Sequence, residues 1–393
     1  MNFLFVCTHP IQNLIPLFVE LNKKTNLNFK VLYWEKISKE YFDPLFNQKI
    51  NFNIETFKGY KFEYFYENKN NTEKVTKTFN QILVSLKLIK YIFKSKTDVV
   101  LVYGYYLPHI ILLLFAKILG KKTIIRSVSY NLGNRNFFKR LVRKLFYNIA
   151  NLLIDEFWSV GKLNTDFYLD FGVNEKNIRT IPSSQITKNF VFKDDLDFEE
   201  TKKKFINTFH QINKKKIILY PGKFLKKKRP MFLIECFANA KLSDEWILVL
   251  VGGGGFYHQQ VIDYLKKNNP NNIFYLGFKD LKEILVLYDL SEIIVLPSDF
   301  GETNGNVLHE SSQFNCTCIT SNRVGAYPEV LNFKRGLVFD AQKKNDFINK
   351  IELLTNDINL RNQLKQNNLK FSEKIKPSYA ANKIYDILSN YEL

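Results

Sequence analysis

Short apolar runs recur along both halves of the chain, each followed by a longer segment of helical period, and this alternation restricts the fold more than any other feature. A strand covered on both faces reads as a continuous apolar run. In the first half the runs are FLFVC (3–7), FKVLYW (29–34), DVVLVYG (98–104), KTIIRS (122–127) and EFWSV (156–160). In the second they are KKIILY (215–220), WILVLVG (246–252), NIFYLG (272–277), EIIVLP (292–297) and TCITS (317–321). Repeated βα units build parallel sheets, so an α/β chain of two doubly wound, Rossmann-like domains is predicted. The 393 residues, 46% of them hydrophobic, suffice for two cores. The expected boundaries are 1–186 for the first domain, 187–213 for a charged linker with a capping helix and 214–376 for the second domain. A helix at about 377–393 is expected to pack back on the first.

Two stretches bear on where such a chain works. Val99 to Ala116 carries no charge, but Gly104, Pro108 and His109 interrupt it, which fits a buried strand and a core helix better than a membrane span. The amino terminus, MNFLFVCTHP, has no cationic leader and reads as a strand. Cys7, Cys236, Cys316 and Cys318 lack C-x-x-C spacing, so reduced thiols and a cytoplasmic location are expected. The net charge is +19, of which +13 falls in residues 1–186, and an anionic partner is expected there.

Doubly wound sheets bind ligands beyond the carboxyl ends of their strands, so each motif should follow a strand. Pro221 to Pro230, PGKFLKKKRP, does so, with Gly222 for the turn and several lysines before a helix, an arrangement suited to an anion. A solvated basic loop would read the same. Gly252 to Gly255 let a backbone approach a ligand closely, or merely turn. PSDFGETNGNVLHE (297–310) places Glu302 in a loop and Glu310 about one and a half turns into the following helix. Carboxylates accept hydrogen bonds from vicinal hydroxyls, so a sugar and a ribose are natural partners; a cap and a surface glutamate are the plainer reading. Asp195-Leu-Asp197 has the D-x-D form of a metal site but lies in the charged linker, and His258 and His309 lack partners at metal-ligand spacing.

These strand-end motifs, in this order, resemble the donor-binding half of the family 4 glycosyltransferases of GT-B fold, the glycosyl transferases group 1. PSDFGETNGNVLHE matches the family's E-x7-E signature, PGKFLKKKRP its cationic segment, and TSNRVGAYPEVL continues the pattern. THPIQNLIPLF (8–18) resembles the T-H-P-I-Q loop of one branch. The resemblance implies two domains facing across a cleft and a retaining, metal-independent transfer of a hexose-type sugar. The donor would be a UDP- or GDP-sugar and the acceptor a glycan or lipid-linked molecule in capsule, O-antigen or lipopolysaccharide synthesis, with no cofactor. It implies that Lys223 and Lys228 neutralise the leaving diphosphate, that Glu302 binds sugar hydroxyls and that Glu310 holds the ribose. Gly222, Gly253, Gly254, Phe278, Asn304, Gly305 and Asn306 complete the donor side, and His9, Gln12 and Arg126 are expected on the acceptor side. Two departures stand out: Arg126-Ser-Val-Ser129 lacks the acidic residue of related sequences, and Asn304 and Asn306 replace apolar residues, which points to an unusual donor sugar.

Two other classes fit parts of the sequence. A nucleic-acid-binding protein would explain the charge and the 36 phenylalanines, provided these interleave on an exposed face. A GT-B sugar-nucleotide epimerase needs acid and base carboxylates that the motifs do not supply. One helical segment, Asn136 to Asn148, carries Phe138, Leu141, Val142 and Leu145 on one side and Lys139, Arg140, Arg143 and Lys144 on the flanks. An ordinary domain helix would turn the apolar side to the core, while the cations suit an anionic membrane surface and a peripheral location.

Overall fold

The computed structural model describes residues 1–37, 40–43, 48–51, 57–68, 78–131 and 137–391. The chain divides into two compact units, one of residues 1–41, 54–185 and 374–393, the other of residues 42–53 and 186–373. Unit 1 is built on β1 (Asn2–Cys7), β2 (Asn28–Ile37), β5 (Phe62–Asn68), β6 (Val99–Tyr103), β7 (Lys122–Arg126), β8 (Glu156–Ser159) and β9 (Ile178–Thr180), in the order β5-β2-β1-β6-β7-β8-β9. Every pairing in this sheet is parallel. Strands β3 (Glu40–Asp43) and β4 (Gln48–Asn51) form a separate two-stranded sheet. Phe3 to Cys7 in β1 are buried, as the apolar run requires of a strand flanked on both sides and covered on both faces. The uncharged stretch 99–116 is β6 followed by helix Leu107–Ile118, with Pro108 in the first turn, where its missing N–H costs no hydrogen bond. Among the described residues no helix is long and apolar enough to cross a membrane.

Unit 2 holds β10 (Lys216–Lys223), β11 (Trp246–Gly253), β12 (Ile273–Tyr275), β13 (Ser291–Leu296), β14 (Thr317–Ser321) and β15 (Gly336–Phe339), all parallel, in the order β12-β11-β10-β13-β14-β15. Alternate residues of these strands feed two cores. Ile217, Leu219, Val249 and Ile294 pack with Leu285 and Leu308 on one face, and Ile218, Leu248 and Val295 pack with Phe237 and Trp246 on the other. Each such side chain contributes about 1.5–3 kcal/mol by leaving water.

Three segments take the following places in the structure. Residues 187–213, expected as a linker with a capping helix, belong to unit 2, where helix Asp195–Thr208, capped by Asp194, packs Phe198 and Phe205 into its core. The carboxyl-terminal helix Pro377–Ser389 is part of unit 1, where it packs on helix Ile15–Asn22, and Tyr391 Oη donates to Glu156 at 2.8 Å. Helix Phe137–Asn151 does not turn its apolar side inward; Tyr147 and Ala150 are buried while Leu141, Val142 and Leu145 are exposed. Asn136 and the side chain of Lys139 lie outside the described residues.

Candidate active site

In unit 2 the strand order reverses between β10 and β13, the position at which an open α/β sheet leaves a crevice at its carboxyl edge. The loops leaving these two strands are those that carry the lysines and the paired glutamates. They are fastened to each other: Lys227 Nζ donates to the Gly301 carbonyl at 3.1 Å, and the Asp299 N–H donates to the Lys227 carbonyl at 2.9 Å. Lys228 Nζ pairs with Glu302 Oε2 at 2.5 Å, with both side chains 15% exposed. Two residues expected in separate roles thus form one enclosed ion pair.

The lysine loop has a rigid floor. Lys223 ends β10, Phe224 is buried, and the Phe224 N–H is shared between the carbonyls of Gly253 and Gly254. Tyr220 Oη donates to the Lys223 carbonyl at 3.1 Å, and burial, with the nearby Glu302 charge, holds this phenol protonated far above its ordinary range. Arg229, in the left-handed region at φ 52°, turns the chain into helix Pro230–Asn239 and donates to the Ala341 carbonyl at 2.7 Å.

The glycines beside it are required by contact. Gly222 pairs with Gly252 and Lys223 with Gly253 in the β10–β11 register. A Cβ on Gly252 would stand 2.4 Å from the Gly222 carbonyl oxygen, and one on Gly253 would stand 2.3 Å from Tyr275 Oη. The Gly254 N–H donates to His258 Nδ1 at 3.0 Å, so a ligand would meet the bare Cα face of this turn, not that amide. Phe278 follows Gly277, whose carbonyl accepts the Gly252 N–H at 2.9 Å, and is half-buried beside the same turn.

Glu302 is held through its backbone as well. It forms a bridge with Val324, and its carbonyl accepts the Gly325 N–H at 2.8 Å. Gly305, at φ 69°, opens the short helix Asn306–Glu310, before which the Asn304 amide donates to Asn306 Oδ1. Glu310 is the last residue of that helix and accepts a 3.0 Å hydrogen bond from Tyr288 Oη. Burial, reinforced by the Glu310 charge, raises the Tyr288 phenol well above its usual range, so it remains a donor. His309 is buried against Arg335 with its pKa lowered to about 3 by burial and that cation, which makes it a structural group.

Tyr288 and Tyr220 were not anticipated. Both sit in apolar periodic runs and read as core, and only the partner across the fold reveals the use of the hydroxyl. Asp195 and Asp197 lie on the first turn of a helix, paired with Lys188 at 2.8 Å and Lys282 at 2.9 Å. Among the described residues no cluster of three His, Cys, Asp or Glu stands at metal-binding geometry.

Unit 1 also reverses its strand order, between β1 and β6. His9 follows β1 with Nδ1 2.8 Å from Thr8 Oγ1, its pKa lowered by burial, and Gln12 begins the next turn. Arg126, expected beside the acceptor, ends β7 but is only 1% exposed, with Nη2 donating to the Pro182 carbonyl at 3.2 Å. The guanidinium is enclosed near Tyr103 and Tyr168, and its Nε and Nη1 have no hydrogen-bond partner among the described residues.

The family model described as glycosyl transferases group 1 matches residues 202–371, which contain every donor-side residue named above. An uncharacterised glycosyltransferase of Methanocaldococcus jannaschii is 28% identical over 210 residues, 50% of this chain and 58% of its own. A Campylobacter jejuni alpha-1,4-N-acetyl-D-galactosaminyltransferase, named for a diNAcBac-PP-undecaprenol glycan, is 25% identical over 179 residues, 45% of this chain and 46% of its own. The chain thus spans about half the length of these curated relatives. Among solved structures, Anabaena HepE, determined with UDP, superposes over 100% of both chains with a TM-score of 0.71 at 14% identity. Residues 202–371, with the paired loops of unit 2 inside them, thus match the glycosyl transferases group 1, and the chain shares the GT-B fold along its whole length.

Proposed function

We propose that the protein is a retaining, metal-independent glycosyltransferase that moves a hexose-type sugar from a UDP- or GDP-sugar to a glycan or lipid-linked acceptor in surface polysaccharide synthesis. The observation that carries this reading is the Lys228–Glu302 pair, enclosed where the loops of β10 and β13 meet. It supports a site in which a cation meets the donor phosphates next to a carboxylate that accepts sugar hydroxyls.

In this reading the bond between the sugar's anomeric carbon and the diphosphate oxygen breaks as the acceptor oxygen attacks from the same face. The departing phosphate oxygen takes the acceptor's proton. Lys223 and Lys228 stabilise charge that develops only as the diphosphate leaves, the role a metal fills in other transferases. Glu302 binds the sugar with help from the amides of residues 304–306, Glu310 holds the ribose, and Gly222, Gly253, Gly254 and Phe278 bound the phosphate and base. His9 and Gln12 serve the acceptor, which enters from the basic half. The UDP bound to HepE supports a nucleotide-sugar donor, and the undecaprenol in the Campylobacter relative's name supports a lipid-linked acceptor.

A thermal-shift panel of UDP-, GDP- and ADP-sugars tests the donor, because a ligand that binds only the native state raises its stability. A UDP- or GDP-sugar should raise Tm, and transfer of label to a glycan should follow. A converted free nucleotide sugar with no acceptor would instead indicate an epimerase. The nucleic-acid reading is disfavoured by the packing of Phe3, Phe5, Phe18 and Phe29 against one another in the core.

A further inference from the structure

Helix Phe137–Asn151 carries an apolar stripe on the wrong side for a domain helix. Phe137 and Leu145 are 81% and 62% exposed, and Leu141, Val142 and Ile149 are exposed on the same helix. At 3.6 residues per turn these positions fall on one side of the helix axis, and the buried Tyr147 and Ala150 fall on the other. Tyr147 anchors that other side, with its ring 4.5 Å from Tyr105 and 4.7 Å from Phe171. The stripe therefore faces outward because the helix is fixed from behind.

The charges around the stripe identify what covers it. Arg140 and Lys144 are exposed on the same helix, and Arg143 is half-buried. From Val99 to Ile154 the chain has nine Lys and Arg and no carboxylate at all. In a symmetric contact with a second copy, Arg140 and Lys144 would meet their own counterparts with no acid in the segment to pair them, which is repulsive. An apolar stripe bordered by cations matches an anionic bilayer, whose acyl region takes the stripe and whose phosphates take the cations.

We propose that this helix is an interfacial membrane anchor, lying in the plane of an anionic bilayer with Leu141, Leu145 and Ile149 below the phosphate level. The cations attract the protein to the surface, and the stripe then holds it by a contribution that salt does not screen. The binding is independent of glycosyl transfer, since it requires neither donor nor acceptor.

Flotation of the full chain with vesicles of phosphatidylcholine, with and without phosphatidylglycerol, at low and high salt, tests the proposal. Recovery with the anionic vesicles is expected at low salt and, in part, at high salt, where charge attraction reaches only a few ångströms. Leu145→Glu with Ile149→Glu should reduce binding at least tenfold at both salts, with circular dichroism and thermal unfolding unchanged because both positions are exposed. Arg140→Gln with Lys144→Gln should reduce it roughly thirtyfold at low salt only, about fivefold for each cation. Absence of the protein from the floated fraction in all conditions would overturn the proposal, as would binding that vanishes entirely at high salt or is indifferent to the glutamates. A dimer dispersed by Leu145→Glu would assign the face to a second copy and overturn it too.

Discussion

Lys228 Nζ lies 2.5 Å from Glu302 Oε2, and the two side chains are equally enclosed. Lys228 enters from the turn after β10 and Glu302 from the loop after β13, so the pair ties together two segments more than seventy residues apart in sequence. Among the described residues Lys228 pairs with no other acid, so it balances the charge of a carboxylate whose backbone is held by Val324 and Gly325. Removing either partner strands the other in a partly desolvated place.

Lys228→Met should therefore lower both stability and turnover. An enclosed carboxylate left without its donor costs about 1–3 kcal/mol, and loss of a cation aligned with the leaving diphosphate lowers kcat by roughly tenfold to a thousandfold. Adding Glu302→Gln should restore most of the stability but none of the turnover, as read by denaturant unfolding and initial rates. Lys223→Ala should lower turnover within the same range. Full turnover in both lysine variants would dismiss the diphosphate assignment.

Activity should persist in EDTA. Asp195 and Asp197 are engaged with Lys188 and Lys282 on a helix start, and Asp195→Asn with Asp197→Asn should leave the rate unchanged. Loss of activity in the chelator with rescue by manganese would contradict this.

Tyr288 should act on the donor through Glu310. Glu310→Gln weakens charge-assisted bonds to the ribose, and donor affinity should fall by about 1.5–3 kcal/mol with the fold intact. Tyr288→Phe removes the 3.0 Å hydrogen bond that orients the carboxylate, raising KM for the donor with little change in kcat. In the double variant the two losses should be less than additive, because neighbours in one hydrogen-bond network couple. Strict additivity would separate Tyr288 from the site.

The sequence announced every strand that is flanked on both sides within its sheet, because such strands are apolar runs. Strands β3, β4, β5, β9 and β15 escaped notice, and each lies at a sheet edge, where one side needs no partner and the run can be short or mixed, although the edge strand β12 was legible as NIFYLG. The glutamates, lysines and glycines of the site were legible because each follows a strand. Their partners were not: nothing in the spelling of LKEILVLYDL sets Tyr288 apart from its neighbours, and no spacing links Lys228 to Glu302. The orientation of helix Phe137–Asn151 was likewise hidden, since periodicity gives an apolar side without saying which way it faces.

Stability should fall in mild acid partly through His109. This side chain is fully buried, donates from Nδ1 to the Gly104 carbonyl at 2.9 Å, and has its pKa lowered by burial from 6.5 to about 4. The unfolded chain takes up the proton below pH 6.5 and the folded one only near pH 4. Its contribution is thus complete above pH 6.5 and lost as pH falls toward 4, a difference of about 3 kcal/mol at 1.36 kcal/mol per unit. His109→Asn keeps a donor but does not titrate, so its unfolding free energy should change less between pH 6.5 and 4 than the wild type's. Parallel pH curves would place the acid sensitivity elsewhere.

Gly325→Ala should disable donor binding more than it destabilises the fold. The loop after β14 meets the Glu302 loop backbone to backbone: the Gly325 N–H donates to the Glu302 carbonyl, and a Cβ on residue 325 would stand 1.9 Å from the Thr303 carbonyl oxygen. No side-chain rotation relieves that contact, so the Glu302 loop must shift, and Lys228 loses its partner at 2.5 Å. Gly120→Ala is the control, a glycine replacement with a backbone cost and no contact. Gly120 has a positive φ, 69°, unlike Gly325, and its Cβ would meet nothing within 4 Å, so only a backbone cost of about 1 kcal/mol applies. Both variants should fold, while the thermal shift given by the donor should vanish in Gly325→Ala and persist in Gly120→Ala. Equal shifts in the two would mean that the 301–305 loop tolerates displacement and that its contact with Gly325 does not position the site.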